Sequence, residues 1–285
     1  MSTIRILVLD GNVPSVRARQ IAATGYDSGN GYARMLRRLM PELECDVIRP
    51  TDADPGLPSG FSLANYHGAT MTGSALNLYN GGAEIERQIE MARAVLEAGV
   101  PFFGSCWGLQ VATTAAGGCV RMNPRGREFG FGRRIQLTDA GRAHPLFAGK
   151  PAVFEAPTIH KDEIETLPPG ATLLATNEMG VQAASFRYGR GTFWGVQYHP
   201  EYDYLDIAAA AERYGATLVE EGMFSDLEAL SSFTADLRYL QAHPTDPPRA
   251  WKHGLGPAIT DERLRTLEIR NWLVQQVLPA SRRDV

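Results

Sequence analysis

The chain is expected to fold as an α/β protein: three layers, a mostly parallel central sheet flanked by helices, and a helical extension at the C-terminus. Three observations lead there. Short apolar runs alternate with helical patterns through the first 120 residues, which argues for a parallel sheet with helices on both faces. Residues 129–197 are rich in strand patterns separated by turns. Beyond Gly222 the pattern becomes purely helical.

Taken in order, residues 4–9 form a near-continuous apolar strand, 31–40 a helix, and 46–48 the returning strand. Residues 68–74 read as a strand ending in a glycine turn. An amphipathic helix follows over 82–98, with Ile85, Ile89, Ala92 and Leu96 on one face and Gly99 as its stop. Pro101 then leads into Phe102 and Phe103, a short buried strand, and a helix runs from about Trp107 to Ala116, closed by Gly117 and Gly118. Strands are expected over 129–137, 152–158, 171–175, 181–186 and 192–197, with a turn at His160-Lys161-Asp162-Glu163. In the extension, Ser225-Asp226-Leu227-Glu228 reads as a capping box opening a helix with Leu230, Phe233, Leu237 and Leu240. A proline-rich linker over residues 243–248 separates it from a last helix at about 260–277, where Leu264, Leu267, Trp272 and Leu273 need a surface to cover.

Two segments carry chemistry. In Gly104-Ser105-Cys106-Trp107-Gly108-Leu109-Gln110 the cysteine sits at a tight strand-to-helix turn. The unpaired N–H groups and dipole of a helix start favour a thiolate and can hold a nearby oxyanion. Gly104 and Gly108 let the chain turn sharply and the helix pack closely, so an exposed, activated thiol is expected. Cys45 and Cys119 lack such surroundings and read as ordinary strand or core residues. In Gly195-Val196-Gln197-Tyr198-His199-Pro200-Glu201, a strand delivers His199 and Glu201 to the sheet's rim. Two residues apart in extended chain, they point the same way, so the carboxylate can fix the imidazole tautomer.

These segments resemble the class I glutamine amidotransferases, in the manner of a stand-alone guanosine monophosphate synthetase amidotransferase. The family's nucleophile turn is Gly-x-Cys-x-Gly-x-Gln, matched by Gly104, Cys106, Gly108 and Gln110. Its base lies in Gln-x-His-Pro-Glu, matched by Gln197, His199, Pro200 and Glu201. The resemblance covers roughly residues 1–222 and implies Cys106, His199 and Glu201 as catalytic residues. It also implies the N–H groups of Gly73 and Trp107 as the oxyanion hole and Gln110 as a substrate-binding residue. Many members have Ser-Gly-Gly-Pro where this chain has Thr72-Gly73-Ser74-Ala75, without the proline.

The implied reaction is attack of the thiolate on the γ-amide of glutamine through a thioester, with no cofactor and no metal. Hydrolysis of γ-glutamyl amides of another amine is the alternative, because both begin at the same carbonyl; a non-catalytic binding module is a third. Neither a pyrophosphatase-type Ser-Gly-Gly-x-Asp-Ser loop nor a Walker loop occurs, so activation of an acceptor for ammonia is expected to fall to a separate synthetase subunit. His160 and Asp162 suggest a second pair, but one histidine with carboxylates in a loop reads as solvated, as do Arg125 and Arg127.

Composition bounds the remainder. With 285 residues there is room for one large domain, 1–222, and an extension, 223–285, which could pack on the core, cover the active site or build a homodimer. A net charge of −4 supplies no basic footprint for nucleic acid. Three cysteines without paired spacing fit a reducing compartment. No apolar run is long enough to span a bilayer and no signal-peptide pattern opens the chain, so a cytoplasmic location with a small-molecule substrate is expected.

Overall fold

The computed structural model describes residues 3–54, 56–244 and 246–282. Thr245 of the proline-rich linker and the last three positions of the extension lie outside them. The strands are β1 (Ile4–Leu9), β2 (Leu43–Ile48), β3 (Gly68–Met71), β4 (Phe102–Ser105), β5 (Cys119–Met122), β6 (Glu128–Leu137), β7 (Val153–His160), β8 (Asp162–Thr166), β9 (Thr172–Asn177), β10 (Gly180–Tyr188) and β11 (Gly191–Val196). The longer helices are α1 (Pro14–Thr24), α2 (Ser28–Leu39), α3 (Ala83–Ala98), α4 (Trp107–Ala115), the short α5 (Asp139–Ala143), α6 (Tyr204–Glu220) and α7 (Leu227–Ala242).

Nine strands form one sheet in the order β2-β1-β3-β4-β11-β10-β9-β6-β7. From β2 to β11 every pairing is parallel. Beyond β11 the strands alternate, so β9 and β7 share the common direction and only β10 and β6 oppose it. β1 lies between two parallel partners, and Ile6, Leu7, Val8 and Leu9 are wholly buried, which explains its unbroken apolar run.

On one face Leu7, Leu9, Met71 and Phe102 meet Ile85, Ala92, Val95 and Leu96 of α3 and Leu109 of α4. On the other, Ile6, Val8 and Phe103 meet Tyr32, Met35 and Leu36 of α2. This is the expected three-layer α/β architecture.

The extension packs on this core. Ile269, Trp272, Leu273 and Val277 join the cluster that contains Ile6 and Phe103, and the Trp272 and Phe103 ring centroids lie 5.8 Å apart. A side-chain carbon on Gly68 would stand 2.7 Å from Val277, so the central strand and the C-terminal helix touch through that glycine. Lys150 and Glu268 form a fully buried ion pair at 2.9 Å, and the Tyr198 hydroxyl donates to the same carboxylate at 2.5 Å. A buried pair of this kind contributes little net stability, but losing one partner strands a charge.

Several local expectations change. The His160 turn is a strand connection: β7 ends at His160, β8 starts at Asp162, and β8 pairs antiparallel with β5 as a separate ribbon. Asp226, not Ser225, caps α7, accepting the Ala229 N–H at 2.8 Å. The expected helix over 260–277 is broken into short pieces, because Asp261 caps the Arg263 N–H and the Thr266 hydroxyl bonds back to the Glu262 carbonyl.

Candidate functional site

The parallel strands end on one edge, and the candidate residues follow immediately: Asn12 after β1, Gly73 after β3, Cys106 after β4 and His199 after β11. Loops at this edge of a parallel sheet are where ligands bind. In the register, Ser105 lies beside Val196, and the Cys106 N–H donates to the Val196 carbonyl at 2.8 Å. The segments that carry Cys106 and His199 are thereby sewn together although these two residues lie more than 90 positions apart.

Cys106 has φ 52° and ψ −102°, a left-handed conformation that costs about 1–3 kcal/mol for a residue other than glycine. Its neighbours make the turn possible: a side-chain carbon on Gly104 would stand 2.5 Å from the Gly108 backbone, and one on Gly108 2.5 Å from the Met71 carbonyl oxygen. Cys106 precedes the first residue of α4, so the Trp107 N–H belongs to a helix start with no helical acceptor. The thiol is not exposed as expected. Cys106 is 5% accessible and lines a cleft of about 840 Å³, mouth included, with its Sγ 3.6 Å from the Ile159 carbonyl oxygen. Residues from β7 and from the segment around α6 wall that cleft, which the turn sequence alone does not reveal.

His199 lines the same cleft and is buried. Its Nδ1 meets the Glu201 Oε1 at 2.7 Å, and its Nε2 makes no hydrogen bond among the described residues. Burial alone would push the imidazole's pKa down, but the Glu201 carboxylate and then the Cys106 sulfur outweigh it and hold the pKa up at about 10. The ring is confined on one face and at its Cε1 edge. Tyr202 stacks on one face, 4.0 Å between centroids and 9° between planes, while Gly73 abuts the ring so closely that a side-chain carbon there would stand 2.6 Å from Cε1.

The Gly73 loop, which lacks the proline, is held by other means. Asn12 donates from Nδ2 to the Gly73 carbonyl at 3.2 Å and accepts the Ala75 N–H at 3.1 Å, while the Ser74 hydroxyl donates to the Gly11 carbonyl. In the sequence the sole signal for Asn12 is the Asp10-Gly11-Asn12 turn at the end of an apolar strand. Gln110 is buried, not on a helix surface, and donates to Gln197 at 3.2 Å while lining the cleft.

The second histidine pair is occupied within the fold. His160 contacts Glu128 at 2.8 Å and the Asp162 carbonyl at 2.9 Å, and the Asp162 carboxylate accepts from Asn77 and Tyr79 at 2.8 and 3.0 Å. No group of three or more metal-ligating side chains occurs among the described residues. Arg125 is exposed, but Arg127 is not a solvated loop residue. It lines the cleft, pairs with Glu221 at 2.7 Å and lies 5.1 Å from the Tyr214 ring, a placement set by a partner 94 residues away.

Comparison with known proteins agrees with this geometry. The family described as glutamine amidotransferase class-I matches residues 25–205. A γ-glutamyl-L-1-hydroxyisopropylamide hydrolase of a Pseudomonas species is 33% identical, covering 99% of this chain and 96% of that one. A glutamine-hydrolysing GMP synthase of Thermomicrobium roseum is 30% identical over 66% of this chain, which spans 33% of that relative's length. A crystal structure of a glutamine amidotransferase from Thermotoga maritima shares the fold, with a TM-score of 0.66 at 18% identity over 97% of this chain and 99% of the other. With the cysteine elbow, the His-Pro-Glu segment and the sheet edge that unites them, the chain belongs to the class I glutamine amidotransferase family.

Proposed function

We propose that the chain hydrolyses the γ-amide of glutamine, or of a γ-glutamyl amide, through a thioester on Cys106. The Cys106 sulfur attacks the γ-carbonyl carbon, and the oxyanion is held by the N–H groups of Gly73 and Trp107. As the C–N bond breaks, the His199 imidazolium gives its proton to the leaving nitrogen. His199 then takes a proton from water, which cleaves the C–S bond and releases glutamate and the thiol. Glu201 holds the ring so that Nε2 faces the reaction. Gln110 and Asp162 line the same cleft and suit the glutamyl end.

The observation that carries this reading is a cysteine in a strained turn lining a cleft shared with a histidine that is fixed at one nitrogen and has no hydrogen bond at the other among the described residues. The full-length Pseudomonas relative supports a substituted amide as substrate. The GMP synthase relatives support a second reading, a glutaminase that serves a separate synthetase.

The test follows glutamate release from glutamine and from a panel of γ-glutamyl amines, beside Cys106→Ala. The variant is expected to lose at least about a thousandfold in kcat. Equal turnover by both proteins refutes the nucleophile, and turnover confined to glutamine selects the second reading.

A further inference from the structure

The loop that carries Gly73 is fastened at two places. At its start, Asn12 holds Gly73 and Ala75, and Ser74 bonds to the Gly11 carbonyl. Further on, the Asn77 amide donates from Nδ2 to one oxygen of Asp162 at 2.8 Å, and the Tyr79 hydroxyl donates to the other at 3.0 Å. Among the described residues, these two are the only hydrogen bonds that tie residues 76–82 to any part of the chain beyond their own sequence neighbours. Leu76 and Leu78 also rest on the apolar core, but such packing has no preferred direction.

The anchor is firm. Asp162 is buried, opens β8, pairs with Met122 of β5, and gives its carbonyl to His160 at 2.9 Å. The loop, by contrast, ends in Gly81 and Gly82 at φ 62° and 104°, just before α3, and glycine leaves other conformations open there. Burial pushes the Asp162 carboxyl above its ordinary range, and the bonds from Asn77 and Tyr79 are the first contacts that oppose it. Gly73, Asn77 and Asp162 all line the cleft, so the tie joins two segments of its lining that are 85 positions apart in the chain.

We propose that Asp162 is a positioning residue: through Asn77 and Tyr79 it holds the loop whose Gly73 N–H receives the oxyanion. This rests on the thioester reading above. The covalent steps are unchanged, and Asp162 touches no reacting atom. Losing one oxyanion donor outright costs about 100- to 1,000-fold in kcat, because the donor must already be aimed when charge develops. A loop released at its second fastening keeps the donor but loses part of its aim.

Tyr79→Phe is the sharper variant, because Tyr79 does not line the cleft and its half-exposed ring stays in place. It is expected to lower kcat for glutamate release by about tenfold, the scale of one hydrogen bond to a charged group, with KM within about twofold. Asp162→Asn keeps the size and puts a donor where an acceptor stood, so it is expected to lower kcat at least as far. The double variant is expected to fall no further than Asp162→Asn alone, because Tyr79 acts only through that carboxylate. Unchanged kcat in Tyr79→Phe, additive losses in the double variant, or a rise in KM alone would each overturn the proposal. Amide hydrogen exchange reads the tie without turnover: a peptide spanning residues 73–82 is expected to exchange at least about tenfold faster in Asp162→Asn, with a peptide from β1 unchanged. Exchange at the wild-type rate overturns the proposal. Faster exchange in the variant of a chain whose wild type releases no glutamate would sink the thioester reading and leave the tie standing.

Discussion

Replacing Gly73 by alanine tests whether the confinement of His199 matters to the proposed chemistry. Gly73 does not have a positive φ, so its backbone accepts alanine and the perturbation is confined to one methyl group. That methyl would stand 2.6 Å from the His199 Cε1, and ordinary contact begins at 3.4 Å, so the ring must retreat by about 0.8 Å. It has nowhere to go without cost. Tyr202 already stacks at 4.0 Å on one face, and sliding sideways stretches the 2.7 Å contact with Glu201. A misplacement near 1 Å costs on the order of a hundredfold in rate, or about 2.7 kcal/mol of barrier. The assay is kcat for glutamate release, with thermal unfolding run alongside to show that the fold persists. A folded variant that keeps activity within about threefold of wild type would refute the claim that the ring's position is set by these contacts.

The pH profile offers a second check. Glu201 is the strongest upward influence on the His199 pKa, so the imidazolium persists to about pH 10 and activity that needs its proton falls above that. Glu201→Gln is expected to move the alkaline limb of kcat/KM down by at least about one pH unit, the low end of what a neighbouring opposite charge supplies; an unmoved limb would contradict this. Trp272→Ala is expected to destabilise the chain by about 3–5 kcal/mol in urea unfolding, because the indole is wholly buried against Phe103. A loss below about 1 kcal/mol would mean that the extension is not part of the core.

What was legible in the sequence was local. The strand over 4–9 and the elbow at Cys106 announce themselves because apolar continuity and flanking glycines are properties of neighbouring residues. What depended on distant partners was not. β5 and β8 are short and half polar, and they are strands because each pairs with the other across more than 40 residues. Cys106 looked exposed because its turn says nothing of Ile159, and Arg127 looked solvated because Glu221 lies far along the chain. The apolar stripe of the extension was plain, but not that it docks beside α2 against β1 and β4. Asn12 was invisible for the same reason: its importance is two hydrogen bonds to a loop 61 and 63 positions on.

The insertion of β11 between β4 and β10 has a consequence for synthesis. While the ribosome has released only the first half of the chain, β4, the strand that precedes Cys106, has an open flank with unpaired backbone groups, a surface prone to wrong pairing. The segment that covers this flank also delivers His199 and Glu201, so closure of the sheet and completion of the candidate site arrive in one step. A chain terminated before β11 thus carries Cys106 without His199 and Glu201 beside it.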